Sequence, residues 1–316
     1  MSYALIFPGQ GAQEVGMGRD FYDQHDSARD VFKEADEALG FSLTRLIFEG
    51  PEEDLMKTAI TQPAVMTMSV AVMRVFEKEY GEKLTPQFVA GHSLGEYTAL
   101  IAAGALPFAE GVSLVHKRGQ WMQEAVPLGM GAMAAIMGLD MSTLKDVCEQ
   151  AAEGEVCQPA NVNAPTQIVI SGHTAAVGRA METAKAIGAS KVIPLKVSAP
   201  FHSDLMKPVA EKLLALFESL SWKEPLWPIM TNVDAQALTD ISKIKNALYR
   251  QTFSPVLWVS DAQAMESAGV DTFIELGPGN VLSGLTKRIC KGKKVCPIQK
   301  VTDIPKGLET LRGDLE

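Results

Sequence analysis

The sequence predicts an α/β protein: a mainly parallel sheet with helices between its strands, and a small βαββαβ unit set into the middle. Three observations carry this. Short β-rich runs alternate with helical patterns along the chain. The section from about 131 to 198 has a strand and helix order of its own. The chain has 316 residues, of which 47% are hydrophobic and 21% charged, enough for one large core or a large core plus a small one.

The elements follow in order. YALIF (3–7) is the first strand; no basic segment precedes it, so it is not a secretion signal. Ala64–Tyr80 is a helix, QFVAG (87–91) a buried strand, and Leu94–Gly104 and Pro107–Ala125 are helices. GAMAAIMG (131–138) is a strand and STLKDVCEQAAE (142–153) a helix. VCQPANVN (156–163) and QIVISG (167–172) are strands joined by an Ala-Pro-Thr turn. TAAVGRAMETAKAIG (174–188) is a helix, SKVIPLKVS (190–198) a strand, and TFIEL (272–276) a late strand. The middle run is a ferredoxin-like order. It predicts a small domain at 129–198, inserted into a larger one made of 1–128 and 199–316.

Composition narrows the function classes. The net charge is −9, without the basic balance of a nucleic-acid binder. No apolar stretch reads as long enough to cross a membrane. Cys148, Cys157, Cys290 and Cys296 form no C-x-x-C pair and no metal spacing, and four in this length do not make a disulfide framework. The expectation is a cytoplasmic protein with no metal.

The strongest motif is Gly91-His92-Ser93-Leu94-Gly95, a G-x-S-x-G between a predicted strand and a predicted helix. An abrupt strand-to-helix turn strains the serine backbone, and side chains at the flanking positions would collide. The helix N-terminus offers free N–H groups that can stabilise an oxyanion. Ser93 and Glu96 also fit S-x-x-E, so a capping box is the bland alternative.

A serine nucleophile needs a base. Of five histidines, His25 lies in a charge-rich helix, His116 in the 107–125 helix, and His173 at a turn. His92 neighbours Ser93, and adjacent side chains diverge. His202 remains, ahead of a helical run whose N-terminus favours the neutral imidazole. The alternative is an ordinary loop histidine. Arg118 falls on or beside an apolar stripe of its helix, where an unpaired charge is costly. Spacing alone favours a salt bridge to one of the 38 acidic residues over a fork for a substrate carboxylate. After the first strand, Pro8–Glu14 resembles G-x-G-x-x-G, but Glu14 replaces the third glycine and no G-K-[ST] follows. It reads as a tight turn and not as a nucleotide loop.

Taken together, FPGQGAQ (7–13), TQPA (61–64), GHSLGEY (91–97), KRG (117–119), NVNAP (161–165), SAPFHS (198–203), SPVLW (254–258) and ELGPGN (275–280) resemble the malonyl-CoA:acyl carrier protein transacylase family over nearly the whole chain. The resemblance implies an α/β-hydrolase-like core with a ferredoxin-like insertion. It implies that Ser93 carries the acyl group, that His202 is its base, and that Arg118 clamps the malonyl carboxylate, against the reading from spacing. Gln10 and Leu94 would supply oxyanion N–H groups. Gln251 would stand near the histidine, which a backbone carbonyl rather than an aspartate would orient. Asn163 and Gln62 match positions near the pocket, and Phe201 is compatible with malonyl over branched extender units. The expected reaction is malonyl transfer from coenzyme A to an acyl carrier protein for fatty acid biosynthesis, with no cofactor beyond the carrier's own phosphopantetheine. A polyketide carrier, a serine thioesterase and a non-catalytic carrier-binding module are the rivals. Lys287, Arg288, Lys291, Lys293 and Lys294 form the densest basic cluster, a candidate dock for an acidic carrier or simply a solvated helix end.

Overall fold

The computed structural model describes residues 2–197 and 199–313. Ten strands run along the described chain: β1 (Tyr3–Phe7), β2 (Phe88–Gly91), β3 (Gly131–Met137), β4 (Cys157–Ala164), β5 (Gln167–His173), β6 (Lys191–Pro194), β7 (Ile229–Thr231), β8 (Gln236–Leu238), β9 (Thr272–Leu276) and β10 (Lys294–Ile298). They form a six-stranded sheet in the order β10-β9-β1-β2-β7-β8 and a four-stranded sheet in the order β4-β5-β3-β6.

The larger sheet is parallel except for its β7–β8 edge hairpin. Its central strand β1 is buried at all five residues, as a strand covered by helices on both faces must be. The register pairs Phe7 with Gly91 and Ile6 with Glu275. The loops leaving β1, β2 and β9 therefore emerge together at one carboxyl edge, where sites in such sheets gather. The smaller sheet is antiparallel throughout. The Met141–Ala152 and Thr174–Ala186 helices pack on it through Leu144, Val147, Ala176 and Ala180 against Ala134, Ile136, Ile168 and Ile170. The smaller sheet is tied to the larger unit where β4 meets the loop before the Trp258–Ser267 helix: Val162 N–H donates to Val256 O at 2.8 Å, and Val256 N–H to Ala160 O at 2.9 Å.

Three expectations change. The helix expected from Ala64 begins at Thr58 and carries Pro63 inside it. Pro63 has no N–H for the carbonyl four residues earlier, and that carbonyl, Ala59 O, instead accepts from His116 Nδ1 at 2.7 Å. The same Thr58–Tyr80 helix is long and apolar enough to cross a membrane, contrary to the sequence reading. Its apolar stretch is 83% buried inside the protein, so it is a core helix. The strand expected over 190–198 stops at Pro194. Val197 N–H turns back to Leu195 O at 3.1 Å, ending the pairing, and Ser198 lies outside the described residues.

Candidate active site

Ser93 sits at the turn from β2 into the Leu94–Ala102 helix with φ 53° and ψ −101°, a backbone state that costs energy and needs support from its surroundings. The flanking glycines allow it. A Cβ on Gly91 would lie 2.0 Å from the Gly95 carbonyl carbon, and one on Gly95 would lie 2.1 Å from Phe7 O. Any larger residue would push the helix off the sheet. The capping box does not form. The Ser93 side chain caps nothing, and Glu96 turns into the interior.

The Ser93 hydroxyl instead lies 2.7 Å from His202 Nε2. His202 Nδ1 is 2.8 Å from Gln251 O. A carbonyl oxygen only accepts, so Nδ1 carries the proton and Nε2 of the neutral ring presents its lone pair to the serine O–H. Burial, and next the Arg118 charge, pull the His202 pKa down to about 3. Neutrality therefore comes from desolvation and a neighbouring cation more than from the short 3₁₀ turn that follows (Asp204–Met206). The other histidines are occupied. His92 Nε2 bonds Asn163 Oδ1 at 2.8 Å, His116 holds Ala59 O, and His173 Nδ1 accepts from Val156 N–H at 2.9 Å. His25 links two helices and is not inside one.

Arg118, on the Phe108–Glu124 helix, is 1% exposed. Its Nη1 donates to Gln62 Oε1 at 2.9 Å, and its Nη2 to Gln251 Oε1 at 3.0 Å and Ser93 Oγ at 3.2 Å. Its guanidinium lies 5.1 Å from the Tyr97 ring centre. No hydrogen-bond partner among the described residues is a carboxylate, and the salt bridge favoured by spacing is absent among them. This is a buried cation held by neutral amides beside the Ser93 hydroxyl. A charge so placed is costly until an anion reaches it.

Ser93, His202, Arg118 and Gln62 line one cavity of about 300 Å³, which Gln10 and Leu94 also line. Met122, Met133, Val197 and Phe201 supply its apolar wall. The N–H groups of Gln10 and Leu94 have no acceptor among the described residues. Gln251 borders the site from below, through the bonds already named. Asn163 does not reach the cavity wall and touches the site only through His92, whereas Asn161 lines it.

Sequence reasoning missed the layer underneath. Asn232 Oδ1 accepts the Ser93 N–H at 2.8 Å, and its Nδ2 donates to Gly91 O at 2.8 Å and to Asp261 Oδ2 at 2.9 Å. Glu96, Asn232 and Asp261 are all fully buried. The one available signal was Glu96, the sole acid in an otherwise uncharged helix, LGEYTALIA. The basic cluster is misplaced for a dock at this mouth. β10 starts at Lys294, opposite Thr272 and Tyr3, at the edge of the sheet away from Ser93. Lys291, Lys293 and Lys294 belong to that edge, and Lys293 pairs there with Asp271 at 3.4 Å. At the mouth stands exposed Lys196.

The acyl transferase domain family matches residues 4–306. A malonyl CoA-acyl carrier protein transacylase of Bacillus subtilis is 48% identical over 312 residues, 98% of each chain. This chain belongs to the malonyl-CoA:acyl carrier protein transacylase family. The family's solved members share its architecture as well as its sequence. The transacylase of Coxiella burnetii superposes with a TM-score of 0.95 at 43% identity, covering 98% of both chains. A malonyl transacylase solved in complex with its type II polyketide acyl carrier protein gives 0.95 at 42% identity, covering 98% of this chain and all of that one.

Proposed function

We propose that the chain is a malonyl-CoA:acyl carrier protein S-malonyltransferase, working by ping-pong transfer through a seryl ester at Ser93. The observation that carries this reading is Arg118, a buried cation with no carboxylate in hydrogen-bond contact among the described residues, 3.2 Å from the Ser93 hydroxyl. An enzyme acting on neutral acyl groups has no use for it. A malonyl group brings the missing anion, and the guanidinium fork fits a carboxylate.

Each step uses groups already placed. Malonyl-CoA enters and its free carboxylate pairs with Arg118. His202 Nε2 takes the Ser93 proton as Oγ bonds to the thioester carbon. The oxyanion is stabilised by the N–H groups of Gln10 and Leu94. The carbon–sulfur bond breaks, the leaving thiolate takes the proton from His202, and coenzyme A departs. The carrier's phosphopantetheine thiol then gives its proton to His202 and attacks the ester, and Oγ leaves with that proton. Gln251 O holds the imidazole in the required tautomer throughout, the task an acid performs in a triad. Gln62 steadies Arg118, and Asn163 acts only through His92. The reaction so written uses no metal and no cofactor beyond the carrier's own arm.

The six-stranded unit (1–128 and 199–316) is read as an α/β-hydrolase-like core and the four-stranded unit (129–198) as a ferredoxin-like insertion. The setting is read as cytoplasmic fatty acid biosynthesis; the names of the bacterial relatives give malonyl-CoA and an acyl carrier protein as the two partners. Intact-mass analysis tests the reading. Malonyl-CoA alone should add one malonyl group, mapped to the Ser93 peptide, and holo fatty acid carrier should then remove it and gain the same mass. A Ser93→Ala protein that still takes the label, or label lost to water and not to carrier, would refute it. A polyketide carrier run in parallel identifies the pathway.

A further inference from the structure

Gln251 makes its contacts through three of its own atoms. Its backbone oxygen takes the His202 Nδ1–H. Its side-chain Oε1 takes Arg118 Nη2–H at 3.0 Å. Its Nε2 donates to Glu96 Oε2 at 2.9 Å and to Ser93 O at 3.0 Å. A primary amide has nearly the same shape either way round but opposite polarity. Reversed, its NH₂ would face the guanidinium and its oxygen would face two acceptors. The amide must be held this way for Oε1 to aim Arg118 at the cavity.

Glu96 is the charged member of that hold. Its Oε2 accepts from Gln251 Nε2 and from Asn232 N–H at 3.0 Å, while its Oε1 has no hydrogen-bond partner among the described residues. The second buried acid, Asp261, does the equivalent for the neighbouring amide. By accepting from Asn232 Nδ2 it turns Asn232 Oδ1 toward the Ser93 N–H. Burying a carboxyl under an active site is costly, and an apolar residue would pack there more cheaply unless an acceptor is required. Burial raises the Glu96 carboxyl to about 7. A proton at neutral pH would settle on the partnerless Oε1 and leave Oε2 accepting as before.

We propose that Glu96 is a positioning residue for the carboxylate clamp: it holds the Gln251 side chain so that its Oε1 fixes Arg118 beside Ser93. The inference rests on the reading of Arg118 as the malonyl clamp. It deepens that reading by extending the specificity machinery to a residue that touches neither substrate nor reacting atom.

Two substitutions separate positioning from packing. Glu96→Met keeps an unbranched side chain of similar length but removes the acceptor. Glu96→Gln keeps an acceptor at the Oε2 position. The measurement is single-turnover acylation of Ser93 by malonyl-CoA and by acetyl-CoA, followed by intact mass, with a thermal melt for each variant. E96M should lose about 10- to 100-fold with malonyl-CoA, the scale of a lost buried hydrogen bond to a charged group. It should lose far less with acetyl-CoA, which has no carboxylate to clamp. E96Q should stay within a few-fold of the parent for both. If E96M does not fold, Glu96→Asp, which draws the acceptor back by one carbon–carbon bond of about 1.5 Å, must show the same malonyl-selective loss. A parallel fall for the two substrates, an unchanged ratio in the folded variant, or an E96Q defect equal to that of E96M overturns the proposal. Arg118→Ala run alongside separates the two levels. If it shows no malonyl-selective loss, the clamp reading itself is wrong. If it does and the Glu96 variants do not, only the role of Glu96 fails.

Discussion

Arg179, in the four-stranded unit, and Arg118, at the edge of the six-stranded one, both donate to neutral oxygens, and there the likeness ends. Arg179 Nε reaches Ala151 O at 2.8 Å, and its Nη2 reaches Ala152 O at 3.1 Å, capping the end of the Met141–Ala152 helix. Two acids then balance its charge, Glu155 at 2.9 Å and Glu153 at 3.4 Å, with about a third of the side chain open to solvent. Arg118 is sealed from solvent, has amides where Arg179 has acids, and points at a serine. An arginine paired with acids near water is a fastener worth little. One that is dry, bonded to amides and not to acids, and beside Ser93 is, on the reading proposed above, a place for a substrate's charge. On that reading the same type of side chain serves stability in one region and specificity in the other.

The contrast has force only if Ser93 and His202 are the reacting pair beside Arg118, and the largest expected effect tests that. His202→Ala should slow Ser93 acylation by about 10² to 10⁴, the range of a positioned base, with malonyl-CoA and acetyl-CoA alike. A folded variant of near-normal rate would remove His202 from the chemistry and leave Arg118 guarding nothing.

A pH series sharpens the comparison next. With its pKa drawn down to about 3 by burial and Arg118, His202 stays neutral across the physiological range. Malonyl acylation should show no limb near 6.5, where a solvated histidine titrates, and a limb there would contradict the assignment. Stability moves with the same groups. The folded pKa of His202 is depressed, so its contribution is present above about 6.5 and is lost as pH falls toward 3. Glu275 goes the other way. Burial raises it to about 7 while its oxygens accept from Leu282 and Ser283 N–H. Its contribution is present below the ordinary carboxyl pKa and is lost as pH rises from there to about 7. Glu275→Gln should therefore flatten any fall in Tm across that window, and an unaltered slope would show that Glu275 is not its source.

The smallest effect belongs to the other arginine. Arg179→Ala should cost about 1 kcal/mol, for a partly exposed ion pair and two helix-end hydrogen bonds. It should leave the ratio of malonyl to acetyl transfer where it was. A change in that ratio would break the division of labour between the two regions.

Local pattern carried much of this into the sequence. The strand at 3–7 was legible because a continuous apolar run between turn signals has few other meanings, and the strand at 272–276 because its β-branched and aromatic residues stand before a Gly-Pro-Gly turn. The elbow was legible because G-x-S-x-G joins two elements of opposite period. What stayed hidden depends on long-range contacts. The helix reads as starting at Ala64, after Pro63, until Ala59 O is seen to find His116. That Arg118 bonds amides and not acids cannot be read from one helix, because its partners Gln62 and Gln251 come from elements 56 residues before and 133 after it. Spacing correctly put the arginine on a buried face, and the general cost of buried charge then suggested the wrong partner. Asn232 and Asp261 gave no signal, since a buried amide and a buried acid look on paper like surface residues.

The most direct test of the account is Arg118→Ala, with kcat/KM measured for malonyl-CoA and acetyl-CoA on both proteins and a thermal melt as the folding control. Removing one side of a buried charge pair costs roughly 2 to 5 kcal/mol. The account therefore predicts a loss of about 30- to 4,000-fold for malonyl-CoA. Acetyl-CoA leaves the native arginine unpaired in the cavity, so its rate should hold steady or rise. A parallel fall for both substrates with a lowered melting temperature would contradict the account and return Arg118 to the role of a structural residue.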